Sequence, residues 1–154
     1  MRARGTVLCL MLAALSSGCS LFFPQRPVEL PPPDVRVSPS GVQFVDLVPG
    51  RGDTPVERGS VVRVHYTGWL EHGEPFDSSL EIGRPLTFTV GKGEVVPGWE
   101  EGILGMRAGG VRRLTIPPRL AYGDQGLGEH IPPGSTLVLE VQLLELLEGP
   151  APAQ

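Results

Sequence analysis

The chain has 154 residues, 40% hydrophobic and 19% charged, an ordinary globular balance that points to one folded domain. Its 13 basic and 17 acidic residues leave a net charge of −4, which speaks against general nucleic-acid binding, a function that runs on clustered Lys and Arg. The 21 glycines and 17 prolines follow no period, so a collagen is excluded and a turn-rich β protein is favoured. Both cysteines, Cys9 and Cys19, lie near the start, which excludes a disulfide framework or a Cys-based zinc site in the body.

Residues 1–18 have the three parts of an export signal: Arg2 and Arg4, an apolar run from Val7 to Leu15, and then Ser16, Ser17 and Gly18. The apolar run is shorter than the about 20 residues that a membrane-spanning helix needs. Cleavage before Cys19 would leave 11 basic against 17 acidic residues, a net of −6. Leu15-Ser16-Ser17-Gly18-Cys19 resembles a bacterial lipobox, with Ser16 where leucine is usual. That resemblance implies a diacylglyceryl group on Cys19 and anchoring to a membrane by acyl chains, each buried CH₂ contributing about 0.8 kcal/mol. Ser20 after the cysteine resembles an outer-membrane sorting pattern. The expected address is therefore the bacterial cell envelope, on the outer membrane and facing the periplasm. Residues 19–40 carry Pro24, Pro27, Pro31, Pro32, Pro33 and Pro39 among few apolar residues. Such a stretch cannot bury enough surface to fold, and it reads as a semi-rigid polyproline linker or, alternatively, as a proline-rich ligand.

From residue 41 to 148 the signals are of strands and turns, followed by a disordered tail over 149–154. Strands are expected over 42–48, 61–70, 86–90, 111–116 and 136–147. Pro49-Gly50, Gly73, Gly91-Lys92-Gly93, Gly109-Gly110 and Pro133-Gly134 separate them. Between the third and fourth, Trp99, Ile103 and Met106 share one helical face, with Glu100 and Glu101 in the first turn, where the helix dipole favours acids. The spacing predicts a helix of two to three turns, too short to stand alone, which must pack on the sheet. The expected fold class is α+β: a bent antiparallel β-sheet wrapped around one short α-helix.

Six sequence pieces, in order, resemble the FKBP family of peptidyl-prolyl isomerases. They are Val64-His65-Tyr66-Thr67-Gly68, Phe76-Asp77-Ser78-Ser79, Glu94 through Gly102, Leu114-Thr115-Ile116-Pro117, Ala121-Tyr122-Gly123 and Ile131-Pro132-Pro133, closed by the strand from Thr136 to Leu144. The resemblance covers residues 41–147 and implies a shallow apolar pocket between sheet and helix. Carried over position by position, it implies Tyr66, Asp77 and Tyr122 as catalytic residues. It implies Phe76, Leu86, Val95, Val96, Trp99, Ile131 and Leu139 as substrate-binding residues. Trp99 would be the floor, Tyr66 and Phe76 the walls, and Ile131 the border on the loop side. The Val96 N–H and the Tyr122 hydroxyl would donate to the peptide carbonyls flanking proline. Leu86 and Leu139 stand where the family is often aromatic. The resemblance also implies proline-containing polypeptides and macrolide immunosuppressants as partners, and a single pocket domain on a tether gives no reason to expect anything but a monomer.

These residue types suit rotation about X–Pro, which is slow because it breaks amide resonance over a barrier near 20 kcal/mol. An apolar pocket disfavours the charge-separated resonance form, and fixed donors then hold the twisted peptide. No cofactor, metal or nucleophile is required: His65, His72 and His130 lack ligand spacing, Gly91-x-Gly93 completes no phosphate-binding loop, and Asp77-Ser78 has no base nearby. Spacing alone leaves other readings open. Trp99, Phe76 and Tyr66 read equally as core, Asp77 as an N-cap or turn acid instead of a buried acid in the pocket, and Tyr122 as a strand-end tyrosine. The expected activity is a prolyl isomerase that helps exported proteins fold. The alternative is a proline-segment binding module or chaperone with little turnover.

Overall fold

The computed structural model describes residues 34–150, so the expected export signal, Cys19 and most of the proline-rich segment lie outside the described residues. Seven strands form one antiparallel sheet: β1 (Arg36–Val37), β2 (Gln43–Val48), β3 (Val61–Leu70), β4 (Pro75–Ser78), β5 (Leu86–Thr89), β6 (Val111–Ile116) and β7 (Leu137–Glu148). Their spatial order is β1-β2-β6-β7-β3-β4, and β5 also pairs with β3. The ten residues of β3 are shared along their length: Val61–Val64 pair with β5, and Thr67–Trp69 with β4. Both β4 and β5 therefore bend away from one continuous strand, and the sheet curls.

Alternation sets which face is buried. On β3, Val62 and Val64 are fully buried; on β7, Leu137, Leu139, Val141 and Leu143 are buried; on β6, Leu114 and Ile116. The register puts Leu114, Leu139 and Gly68 in one row across the sheet, and Arg112, Val141 and Tyr66 in the next. Helix α2 (Pro97–Gly102), which follows the single-turn helix α1 (Ser79–Ile82), lies across this face. Its glycines look like poor helix formers, but they permit contact. A Cβ at Gly102 would stand 2.7 Å from Leu114 Cδ1, and one at Gly98 would overlap the Ile116 side chain.

Three features differ from the sequence-based expectation. The predicted two-to-three-turn helix is a six-residue α2, and Ile103 and Met106 are buried by irregular chain beyond it. The helix stops because buried Arg112 takes the Gly102 and Leu104 carbonyls (both 2.9 Å) and Gly105 turns the chain with φ 76°. The linker expected to reach residue 40 contributes β1, whose Arg36 and Val37 pair with Phe44 and Gln43. The following turn is tied down by Ser40 Oγ donating to Glu101 and by Arg119 donating to the Ser40 carbonyl. The Phe76 segment is itself a strand, β4, and α1 follows it; both are too short for periodicity to reveal.

Candidate functional site

Between the N-terminal end of α2 and the concave face of the sheet lies a cavity of about 190 Å³, open to solvent. Tyr66, Phe76, Asp77, Leu86, Glu94, Val95, Val96, Trp99, Tyr122, Leu137 and Leu139 line it. Trp99 forms its base: the indole is 7% exposed, and the Tyr66 and Phe88 rings meet it edge to face at 4.8 and 5.7 Å. A glycine makes one wall possible. A Cβ at Gly68 would stand 2.5 Å from the Phe76 ring and 2.9 Å from Leu139, so only hydrogen lets both side chains close over the strand.

The polar groups are few and unequal. Tyr66 donates its hydroxyl to Asp77 Oδ2 at 2.5 Å. Burial and then the Asp77 hydrogen bond and charge push the Tyr66 phenol well above its usual value. Burial, with a smaller contribution from the Asp77 charge, also pushes Tyr122 up, so both phenols stay protonated at neutral pH. Asp77 is exposed, not buried, because β4 is an edge strand and places it at the cavity mouth. Its neighbour Ser78, not Asp77, is the N-cap of α1. Behind it, Ser79 Oγ accepts from the Tyr66 backbone N–H at 2.8 Å and meets His65 Nδ1 at 2.9 Å, fixing this corner of the site.

Three donors at the cavity carry no hydrogen bond among the described residues: the Tyr122 hydroxyl, the Val96 backbone N–H and the Trp99 indole N–H. The Val96 carbonyl, by contrast, accepts from the Trp99 and Glu100 amides at the start of α2. Tyr122 is carried by the turn after the 3₁₀ helix Pro118–Leu120. That turn is held by Gly123 N–H to the Pro118 carbonyl and Gly134 N–H to the Gly123 carbonyl, both 2.8 Å.

Of the residues expected at the site, all but one of those in the described region line the cavity. The exception is Ile131, which is 2% exposed in the core, where its backbone pairs with Leu127; it does not line the cavity. Two lining residues were missed. Leu137 precedes Leu139 by two on the same face of β7, a signal that strand alternation offers. Glu94 sits next to Val95 and Val96 but has no local signature, because its position depends on the turn that returns it to Thr89.

A curled antiparallel sheet with an indole-floored apolar cavity and free donors on Val96 and Tyr122 beside it defines a binder of small, flat, apolar rings flanked by peptide groups. Comparison with known proteins narrows this. Residues 52–144 match the family model of the FKBP-type peptidyl-prolyl cis-trans isomerase, and the chain belongs to that family of enzymes. An FK506-binding protein of Neisseria meningitidis serogroup B is 51% identical over 108 residues, covering 70% of this chain and 98% of its own. The chloroplastic peptidyl-prolyl cis-trans isomerase FKBP13 of Arabidopsis thaliana is 48% identical over 122 residues, covering 72% of this chain and 58% of its own. Among solved structures, AtFKBP13 superposes with a TM-score of 0.68 at 44% identity, over 73% of this chain and 98% of that one. FkpA from Escherichia coli gives 0.67 at 42% identity, over 77% and 53%.

Proposed function

We propose that this isomerase works in the bacterial cell envelope, held on the outer membrane by a lipid on Cys19, and accelerates X–Pro rotation in exported proteins facing the periplasm. The observation that carries the catalytic part is the Trp99-floored cavity with the unpartnered Tyr122 hydroxyl and Val96 N–H beside it. The proline ring enters over Trp99, between Tyr66, Phe76, Leu86, Val95 and Leu139. Water leaves the carbonyl that precedes proline, which disfavours the charge-separated amide and weakens the resistance to twisting. Tyr122 and Val96 donate to the flanking carbonyls and favour the twisted geometry over the planar one. Asp77 holds the Tyr66 hydroxyl, so the ring edge stays fixed against Trp99. Lowering the barrier by about 5 kcal/mol gives several thousandfold acceleration.

The test is a protease-coupled assay on short X–Pro peptides, with purified protein. An uncatalysed rate would leave a proline-binding module, in which the aliphatic Leu86 and Leu139 hold the ring without turnover. The envelope role rests on the leader-like residues 1–18 and on Cys19. Mass spectrometry of the native N-terminus checks it: a diacylated Cys19 at the terminus is expected, and an unmodified Cys19 or a different start refutes the anchor. Macrolides of the FK506 type are expected to compete with peptide for the same cavity, and the enzyme is expected to run as a monomer in sedimentation.

A further inference from the structure

The cavity mouth carries two carboxylates, Asp77 and Glu94, and no Lys, Arg or His is among its lining residues. Glu94 is exposed, and its position is fixed: Oε2 accepts the Thr89 backbone N–H at 2.6 Å across the turn that leads to Val95 and Val96. Glu100 reinforces the same turn, its Oε1 accepting the Gly93 N–H at 2.9 Å. Two cations are near in sequence, Lys92 in this turn and Arg84 before Leu86, and neither lines the cavity. The Asp77 charge acts across the cavity as well, since it contributes to holding the proton on Tyr122. Low-dielectric walls around charges of one sign focus their field on whatever enters.

We propose that Glu94 is a specificity-determining residue: together with Asp77 it makes the enzyme favour X–Pro segments in which X is Lys or Arg over those in which X is Asp or Glu. This rests on the isomerase reading of the same cavity. The preference arises as much from rejection as from attraction, because an acidic X must approach two fixed carboxylates with no cation between them. A basic X meets them as partners, and an apolar X is indifferent to the charge.

The experiment measures kcat/KM on Ala-X-Pro-Phe peptides with X as Lys, Leu or Glu, using the full chain and its Glu94→Gln and Glu94→Lys variants. Gln keeps an oxygen to accept from Thr89, so the turn is retained while the charge goes. For the unaltered protein the Lys:Glu ratio is expected to be about tenfold at low salt and to shrink severalfold in about 0.5 M salt, where exposed charges are screened. Glu94→Gln is expected to lower the ratio about threefold, and Glu94→Lys to lower it further, each variant judged by its own ratio and not by its absolute rate. A ratio near one with the Leu peptide accelerated overturns this inference alone, as does a ratio that neither variant changes. No acceleration of the Leu peptide overturns the isomerase reading and this inference with it.

Discussion

The two ends of α2 treat their polar groups in opposite ways. At the C-terminal end a buried side chain takes the carbonyls that the helix leaves over. Arg112, 3% exposed, donates Nη1 to the Gly102 and Leu104 carbonyls, and Nε to Asp46 Oδ1 at 2.6 Å, and its guanidinium lies 4.8 Å over the Phe44 ring. A cation at a helix C-terminus satisfies both the orphan carbonyls and the dipole. At the N-terminal end the donors of Val96, Trp99 and Tyr122 are left without partners beside an open cavity. Val96 and Tyr122 are half-buried, so water serves their donors until a bound ligand replaces it. Saturation marks the end that holds the fold together, and deficit marks the end that binds.

The comparison can be broken from the structural side first. Arg112→Met leaves two carbonyls without their donor and a half-buried Asp46 with Arg36 as its remaining cation, and is expected to lower unfolding free energy by about 3 kcal/mol in urea titration. Its kcat/KM should stay within about twofold at temperatures where it is folded, since Arg112 is not among the cavity-lining residues. An equal loss of kcat/KM would show that the two ends are not independent. Tyr122→Phe tests the other end. With no partner for the hydroxyl among the described residues, stability should change by less than about 0.5 kcal/mol, whereas loss of one hydrogen bond to the twisted peptide should cut kcat/KM about tenfold. A large loss of stability would show that the hydroxyl is structural.

Asp77→Asn has a smaller expected effect, because the amide oxygen still accepts from Tyr66. A loss of kcat/KM of about threefold is expected, from the weaker neutral hydrogen bond. The pH dependence separates the ends most gently. Burial raises the Asp46 pKa, but the Arg112 hydrogen bond and charge, with help from Arg36, outweigh it and leave the carboxyl below its usual value of 3.8. A depressed folded pKa means stability present above the unfolded value and lost as pH falls through the folded one. The structural end should therefore weaken below about pH 4 by acid titration of unfolding. Tyr66 and Tyr122 are shifted upward, so on their account kcat/KM should hold flat to pH 10.0, the ordinary value for tyrosine. Above that the unfolded chain ionises first, and stability falls.

Much of this was readable in one dimension. Val62, Val64 and Tyr66 alternate on β3, Leu137 to Leu143 on β7, and the turn signals Pro49-Gly50 and Gly109-Gly110 fall where β2 ends and where β6 begins. The aromatic residues of the cavity came through the family's motif order, not through spacing, which reads Trp99 and Tyr66 equally as core. Less was legible where short elements depend on partners. The two residues of β1 have no periodicity and exist because Phe44 and Gln43 offer a ladder to pair with. Ile131 sits in the motif that borders the site, yet a bridge to Leu127 turns it into the core.

The sequence alone determined the strand-and-turn alternation and the fold class through local periodicity, and most of the residues that line the pocket through the family's motifs in a fixed order. It also carries the leader-like residues 1–18 and Cys19, which lie outside the described residues. Tertiary structure decided the rest. It placed Asp77 at the mouth, not in the interior, with its carboxylate on the Tyr66 hydroxyl, and it turned Arg112 from an ordinary strand residue into the cap that shortens α2. It also brought Glu94 to the rim. Each of these depends on which residues face each other across β2, β6, β7, β3 and β4, and that register is fixed by long-range pairing and burial, which no local stretch of chain encodes.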